Sequence, residues 1–357
     1  TSFTESFTFT TMPSNNITVY AKWVTAFFYD IDNYLKNLEY NGSLLIYLDG
    51  ETLLNEGYGW ANVAESIENT PETRFLIGSI TKQFTAVAIM MLYEEELLNF
   101  KDTVDMYIPD FPNGDIITIH NLLTHTSGLE NYLTHIPRDR EYLSSYHSPL
   151  SLIDIIRDYP LAFEPGSSFE YSNTNYIILG HIIELISGVT YQEFMQQNIF
   201  IPLEMNQTGF SSLTPGPNDA LAYYEEFVDI SSTPIEFRHP SISFASGSMV
   251  STTGDLLIWH HALMNHILIS ESATNLMYTP HTEPVYGFDG YGYGWYVLLT
   301  PGAEPRVFHS GDSQHFITYF YRNTGTDLTI IMTSNEYRDV QDLILYYIFD
   351  MLTNYGY

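Results

Sequence analysis

A serine and a lysine spaced three residues apart, Ser79 and Lys82, are the side chains of this chain best suited to chemistry. Lysine is scarce, since only three others occur in the 357 residues. The apolar run at 84–93 follows at once and predicts a largely buried helix that begins near Ser79. Because residues three apart share a helix face, the Lys82 amine can lie beside the Ser79 hydroxyl.

This arrangement suits an activated nucleophile. The positive end of the helix would stabilise a developing alkoxide on Ser79, and an amine with a lowered pKa can accept the hydroxyl proton. A second interpretation makes Ser79 an ordinary helix N-cap and Lys82 a solvated first-turn residue. The spacing alone leaves both open.

Two further motifs follow in order, Tyr171-Ser172-Asn173 and His309-Ser310-Gly311. The series S-x-x-K, Y-x-N, H-x-G resembles the serine β-lactamase and penicillin-binding protein superfamily, in particular its class C β-lactamase and D-alanyl-D-alanine carboxypeptidase branch. Four other stretches resemble the same family, namely 122–129, 176–180, 201–205 and 291–295. The resemblance covers most of the chain, from Gly42 to Asn335.

The resemblance implies three catalytic residues. Ser79 would attack a carbonyl carbon and form an acyl-enzyme that water releases, while Lys82 would hold the site positive and share protons with Ser79. Tyr171 would act as general base and then as acid, its pKa lowered by the neighbouring ammonium. The other interpretation of Tyr171 is one structural aromatic among 29 tyrosines.

The resemblance also implies a substrate-binding set. Asn173 would hydrogen-bond the acyl side-chain amide of the substrate, although an Asx turn is an alternative role. His309 would donate a hydrogen bond and, once protonated below about pH 6.5, attract a carboxylate. Ser310 would contact the same carboxylate, and Gly311 would let the strand approach the ligand closely.

The backbone N–H groups of Ser79 and Asp312 would form the oxyanion hole. His315 stands where relatives often have glycine, so the rim of the site should differ in shape and charge. We expect no cofactor and no metal: the chain lacks cysteine and H-E-x-x-H, and His260-His261 fit an interface better than a metal site. The chain also lacks the G-x-S-x-G elbow of α/β-hydrolases.

The elements that must position these residues follow from hydrophobic patterning. Asp49-Gly50 is a strong signal for a two-residue hairpin turn. We predict strands at 43–48, 51–57, 306–309, 315–321 and 327–333, and amphipathic helices at 21–40 and 340–354. The five strands would form one antiparallel sheet covered by the first and last helices.

The predicted fold class is therefore α/β (α+β) and β-lactamase-like, with one catalytic domain. Residues 1–18 are expected to be a flexible N-terminal segment. Residues 19–78 and 284–357 would form a sheet lobe, and 79–283 a mostly helical lobe. The active site is expected at the seam between them.

The composition of the chain restricts the classes of partner that it can bind. A net charge of −31 disfavours nucleic acid and anionic lipid, and no apolar run approaches the ~20 residues of a membrane span. Asp and Glu number 43 against 12 Lys and Arg, which leaves acid adaptation and compositional drift equally open. If the shortage of Lys and Arg is an adaptation to acid, the protein should remain folded at acidic pH. The family resemblance suggests a secreted or cell-surface location, and the oligomeric state is left open.

These observations predict a penicillin-recognising serine hydrolase that works through an acyl-enzyme. The preferred substrate is a peptide ending in D-amino acids, as for a D-alanyl-D-alanine carboxypeptidase, with weak β-lactam hydrolysis as a side activity. Two alternatives stay open: a carboxylesterase on the same scaffold, and a sensor that β-lactams acylate without turnover. In each case the partner is a small peptide, ester or β-lactam.

Overall fold

The computed structural model describes residues 17–224, 238–338 and 340–354. Its helices are α1 (Ile17–Asn37), α2 (Thr81–Glu94), α3 (Ile119–Leu123), α4 (Arg140–Ser144), α5 (Pro149–Asp154), α6 (Asn173–Ser187), α7 (Tyr191–Met195), α8 (Phe244–Gly247), α9 (Thr253–Met264), α10 (Glu271–Met277) and α11 (Gln341–Asn354). Short 3₁₀ turns lie at Gly78–Ile80, Val104–Met106, Tyr132–Thr134 and Pro240–Ile242, and Gln196–Phe200 is a π-helical turn.

The strands are β1 (Gly42–Leu48), β2 (Glu51–Tyr58), β3 (Trp60–Asn62), β4 (Ile67–Glu68), β5 (Phe75–Leu76), β6 (Gly209–Phe210), β7 (Tyr223–Tyr224), β8 (Met249–Ser251), β9 (Gly290–Tyr291), β10 (Tyr296–Leu298), β11 (Arg306–Ser313), β12 (Phe316–Asn323), β13 (Leu328–Ser334) and β14 (Glu336–Tyr337).

The main sheet confirms the predicted fold class. It has seven strands in the order β2-β1-β13-β12-β11-β10-β9, and every neighbouring pair is antiparallel. The predicted β1–β2 hairpin closes through Asp49 and Gly50 at φ of 50° and 88°, as a two-residue turn with the strand twist requires. Strands β9 and β10 were not predicted, because two or three residues are too few to show a period of two.

The two faces of the sheet bury different cores. On β1, Leu44 and Ile46 join a cluster with α1 and α11, whereas Leu45 joins the larger cluster that contains α2 and α9. This alternation follows from the period of two along a strand. The predicted cover by the first and last helices is confirmed, although α1 begins and ends earlier than expected.

Helix α2 lies inside the larger core and is buried on nearly every side. The ring of Phe84 stacks on Trp259 of α9 at a centroid distance of 4.1 Å. A helix that is apolar all round must be enclosed, so the first turn of α2 carries Lys82 into the interior. Within the described residues, no helix has the length and apolarity needed to cross a membrane.

Strand β11 extends further than the sequence predicted. It runs to Ser313, so the whole motif from His309 to Gly311 belongs to the sheet. The next strand begins at Phe316 rather than His315, because Gln314 and His315 have φ of 52° and 68°. Those angles lie in the left-handed region of a tight hairpin turn, and a strand residue cannot adopt them.

The predicted segment boundaries stay predictions. Residues 1–16 of the expected flexible segment lie outside the described residues, and α1 already begins at Ile17. The main sheet is built from residues 42–58 and 290–334, and most of the helices come from the sequence between them.

Candidate active site

Ser79 occupies the 3₁₀ turn that leads directly into α2. Its side chain is partly exposed and lines a cavity of about 610 Å³. The α-helix that follows has Ile80 as its N-cap, and no side chain caps it. The interpretation of Ser79 as a plain N-cap is therefore wrong, and the hydroxyl is left for another role.

Lys82 is fully buried and lies at the centre of three contacts. Its Nζ is 3.0 Å from Ser79 Oγ, 2.7 Å from Asn173 Oδ1 and 2.7 Å from the backbone carbonyl of Ser246. Helices α2, α6 and α8 thus converge on one amine. The interpretation of Lys82 as a solvated first-turn residue is wrong.

The charge state of Lys82 follows from its burial. Desolvation lowers the pKa of the amine well below 10.5. A neutral amine has two N–H donors and one lone pair. Asn173 Oδ1 and the Ser246 carbonyl can only accept, so they take the two donors. The lone pair is left for the Ser79 hydroxyl, which makes Lys82 a competent proton acceptor.

Tyr171 lies on the other side of Lys82, whose Nζ is 4.9 Å from the centroid of the tyrosine ring. Its hydroxyl is buried without a hydrogen-bond partner among the described residues. Burial raises the pKa of Tyr171 well above 10, and the nearby Ser79 side chain opposes that shift. The expectation of a lowered pKa is therefore wrong for the resting protein: the phenol is neutral and suited to donate a proton.

His309 also differs from expectation. Burial lowers its pKa to about 3, so the predicted protonation below about pH 6.5 is wrong. Its Nδ1–H donates to the Ser310 carbonyl at 2.6 Å, because a carbonyl oxygen can only accept. Nε2 is then the acceptor for the Tyr291 hydroxyl at 3.0 Å. The imidazole lines the cavity, but it is neutral and both nitrogens are occupied.

The backbone of β11 lies directly against the turn that carries Ser79. A Cβ on Gly311 would lie 2.0 Å from the Ile77 carbonyl oxygen and 3.2 Å from Ser79 N. Gly78 has φ of 50°, and a Cβ there would lie 3.0 Å from Asp312 N. The two backbone segments that carry the predicted oxyanion donors are therefore packed against each other.

His125 supports Tyr171 from behind. It is fully buried, and its Nδ1 accepts hydrogen bonds from Ser172 N and Asn175 Nδ2 at 3.2 and 3.1 Å. Its ring centroid lies 4.2 Å from that of Tyr171. His125 thus holds the backbone at Ser172, next to Tyr171.

The structure brings all the predicted site residues to one corner of the molecule. The cavity is lined by Ser79, Tyr171, Asn173, His309, Ser310 and Asp312, while Lys82 and Gly311 lie immediately behind them. Sequence reasoning missed Ser246, whose contribution is a backbone carbonyl without a side-chain signal. It also missed further lining residues, among them Arg238, Tyr286, Tyr296 and Gln314. Among the described residues, no group of three or more His, Asp or Glu is arranged to hold a metal ion.

Comparisons with known proteins agree with this geometry. The family described as "Beta-lactamase" matches residues 34–350. A putative penicillin-binding protein of Bacillus subtilis (strain 168), PbpX, is 32% identical over 279 residues, which are 76% of this chain and 66% of that protein. The chain thus spans just under two thirds of the length of that relative.

Solved structures show the same fold. A penicillin-binding protein from Bacillus halodurans superposes with a TM-score of 0.81 and 28% identity, covering 90% of this chain and 98% of that one. A D-amino acid amidase from Ochrobactrum anthropi gives a TM-score of 0.78 at 22% identity, covering 93% of this chain and 99% of the other. At that identity the second likeness concerns the fold alone.

Proposed function

This chain belongs to the β-lactamase family of serine hydrolases, and from that premise we propose that it hydrolyses peptides ending in D-amino acids through an acyl-enzyme on Ser79. The predicted secreted or cell-surface location is part of the same proposal. The observation that carries it is the buried amine of Lys82, whose Nζ lies 3.0 Å from Ser79 Oγ and whose pKa is lowered by burial.

Acylation follows from the positions of three side chains. Ser79 Oγ attacks the carbonyl carbon of the substrate while its proton passes to Lys82 Nζ. The oxygen of the tetrahedral intermediate becomes negative and is held by the N–H groups of Ser79 and Asp312. When the C–N bond breaks, the leaving amine takes the Tyr171 hydroxyl proton, and the Lys82 ammonium returns a proton to the phenolate.

Deacylation uses the same base with water as the nucleophile. Water attacks the ester carbonyl and its proton passes to the Lys82 amine. The bond from carbon to Ser79 Oγ then breaks, and the serine oxygen recovers a proton from Lys82. The products are a free carboxylic acid and the starting enzyme.

The cavity supports a peptide-sized substrate. Asn173 uses its Oδ1 for Lys82, which leaves Nδ2 as a donor for a substrate amide carbonyl. Ser310 adds a hydroxyl to the same lining. A volume of about 610 Å³ is within the usual range for small-molecule sites.

One hydrolysis panel tests the proposal, with an acetylated D-alanyl-D-alanine peptide, p-nitrophenyl butyrate and nitrocefin. We expect the peptide to give the highest kcat/KM and Ser79→Ala to abolish turnover of all three. Dominant butyrate hydrolysis would replace the proposal with the carboxylesterase alternative. Stoichiometric labelling by penicillin without turnover of any substrate would replace it with the sensor.

A further inference from the structure

We propose that Arg238 is the docking residue for a substrate carboxylate and thereby sets the preference of this site for free-acid substrates. This inference rests on the proposed function and names the substrate class of the same cavity. Arg238 lines that cavity together with Ser79 and Tyr171. Among the described residues of the lining, it is the one permanently cationic side chain.

The three other basic groups at the site, His309, Lys82 and His315, are unsuited to this role. Burial lowers the pKa of His315, so this imidazole is not a permanent cation. His309 is neutral, and its Nδ1 and Nε2 are both used by Ser310 and Tyr291. Lys82 has all its hydrogen-bonding positions filled by protein atoms behind the cavity. A substrate carboxylate that enters this cavity therefore meets a permanent positive charge only at Arg238 within the described lining.

The guanidinium of Arg238 is available for a ligand. The side chain is half-buried, and within the described residues it forms no ion pair or side-chain hydrogen bond. This is unusual in a chain with 43 acidic and 12 basic residues. Asp312 lines the same cavity, yet it forms no ion pair with Arg238. An arginine fork matches the two oxygens of a carboxylate.

The main chain of Arg238 is anchored to the motif strand. Its N–H donates to the side chain of Gln314, in the tight turn that follows β11. This contact fixes Arg238 beside the end of the strand that carries Ser310 and Ser313, whose side chains also line the cavity. The carboxylate would thus lie between an arginine fork and serine hydroxyls.

The test compares two matched peptides, one ending in D-alanyl-D-alanine as the free acid and the other as the C-terminal amide. We expect Arg238→Gln to lower kcat/KM for the acid by roughly tenfold to a hundredfold, the range for a charged hydrogen bond. The amide should change less than about twofold. Arg238→Lys, which keeps the charge without the fork, should be intermediate for the acid.

Arg138→Gln is the matched control, because Arg138 is an exposed arginine close enough to influence Arg238 electrostatically. It removes the same charge outside the cavity and should leave both substrates unchanged. If Arg238→Gln lowered kcat/KM equally for the acid and the amide, or for neither, the carboxylate-docking role of Arg238 would be overturned. The proposed hydrolase function would not be affected.

If the parent protein cleaves neither peptide, acylation by benzylpenicillin and by its methyl ester provides a second test. The rate of covalent labelling can be measured without turnover. In the parent the free acid should label faster than the ester, and in Arg238→Gln this difference in rate should disappear. An unchanged ratio would overturn the dock alone. Absence of labelling in the parent with either compound would overturn the proposed function together with the dock.

Discussion

Lys82 shows how burial changes the chemistry of a residue. An amine enclosed without a carboxylate partner is stabilised in its neutral form. The same enclosure raises the pKa of Tyr171. In the proposed mechanism, the site therefore begins with a base beside Ser79 and an acid on the other side of that base. A lysine and tyrosine in these protonation states can move a proton in both halves of the reaction.

Replacing Tyr171 by phenylalanine should remove the acid without disturbing the fold, because only an unpartnered hydroxyl is lost. We expect kcat to fall by roughly a hundredfold to ten-thousandfold, the usual contribution of a general acid–base group. Steady-state kinetics on the D-alanyl-D-alanine peptide measures this. Tyr286→Phe is the control, since Tyr286 lines the same cavity and is 73% exposed. Similar rates in both variants would assign Tyr171 a purely structural role.

The neutrality of His309 gives a prediction about pH. Because its pKa is about 3, the preference for free-acid over amide peptides should stay constant between pH 7 and 5. The ratio of kcat/KM for the two peptides across that interval is the measurement. A preference for the acid that grows with a midpoint near 6.5, and disappears in His309→Asn, would restore the charged dock expected from the sequence.

The sequence indicated which residues are candidates for the site, but it did not indicate their charge states. The S-x-x-K spacing and the two later motifs named Ser79, Tyr171 and His309 as candidates. A pKa depends on the atoms that surround a group, and those come from distant parts of the chain. Ser246 lies 164 residues from Lys82 and contributes a carbonyl, so no local pattern could have indicated it.

At the scale of elements, the close contact between β11 and the Gly78–Ile80 turn brings together the two backbone segments that carry the proposed oxyanion donors. The sequence correctly indicated the β1–β2 hairpin and the five longer strands, because each has a period-two pattern or a strong turn signal. It ended β11 too early, since the serine and glycine of the motif weaken a strand pattern. Their place in the sheet depends on pairing with β12.

Gly311→Ala should separate these elements, because the new Cβ would lie 2.0 Å from the Ile77 carbonyl oxygen. We expect a loss of about 1–3 kcal/mol in the free energy of unfolding and a larger relative loss of kcat. Chemical denaturation and peptide kinetics measure the two effects. Gly209→Ala is the control in a strand, since a Cβ there meets nothing within 4 Å. Wild-type kcat in Gly311→Ala would contradict the proposed oxyanion geometry.

At the scale of the whole molecule, the composition predicts stability at acidic pH, whereas the structure predicts a loss of stability. Few bases limit the positive charge at low pH, which favours a fold that holds in acid. The structure, however, buries neutral imidazoles. His260 lies between α9 and the sheet, where Arg322 Nε donates to its Nδ1 and Asp327 accepts from its Nε2. The predicted interfacial position of this histidine is confirmed.

The sign of the pH effect follows from these shifts. Burial lowers the pKa of His260 to about 2 and that of His309 to about 3. Their stabilising contributions are complete above about pH 6.5 and are lost as pH falls, because the unfolded chain then binds more protons. Desolvation raises the pKa values of Asp255, Asp312 and Asp327, and these carboxyls act oppositely, with stability gained as pH falls toward 4.

We therefore expect the free energy of unfolding to decrease between pH 6.5 and 5, by roughly 2 kcal/mol for each buried imidazole. His260→Gln should flatten that decrease by about the same amount, whatever its cost at pH 7. Denaturation at the two pH values measures the slope, with His266→Gln at an exposed position as the control. An identical slope in His260→Gln and the parent would contradict the neutral assignment of His260.

The central claim is that Ser79 is the nucleophile. Fluorescent penicillin, followed by proteolysis and mass spectrometry of the labelled peptide, tests it most directly. We predict a single adduct on the peptide that contains Ser79, formed at least a hundredfold more slowly in Lys82→Met, on the order of the general-base contribution, and absent in Ser79→Ala. An adduct on another residue, or labelling that persists in Ser79→Ala, would contradict the account.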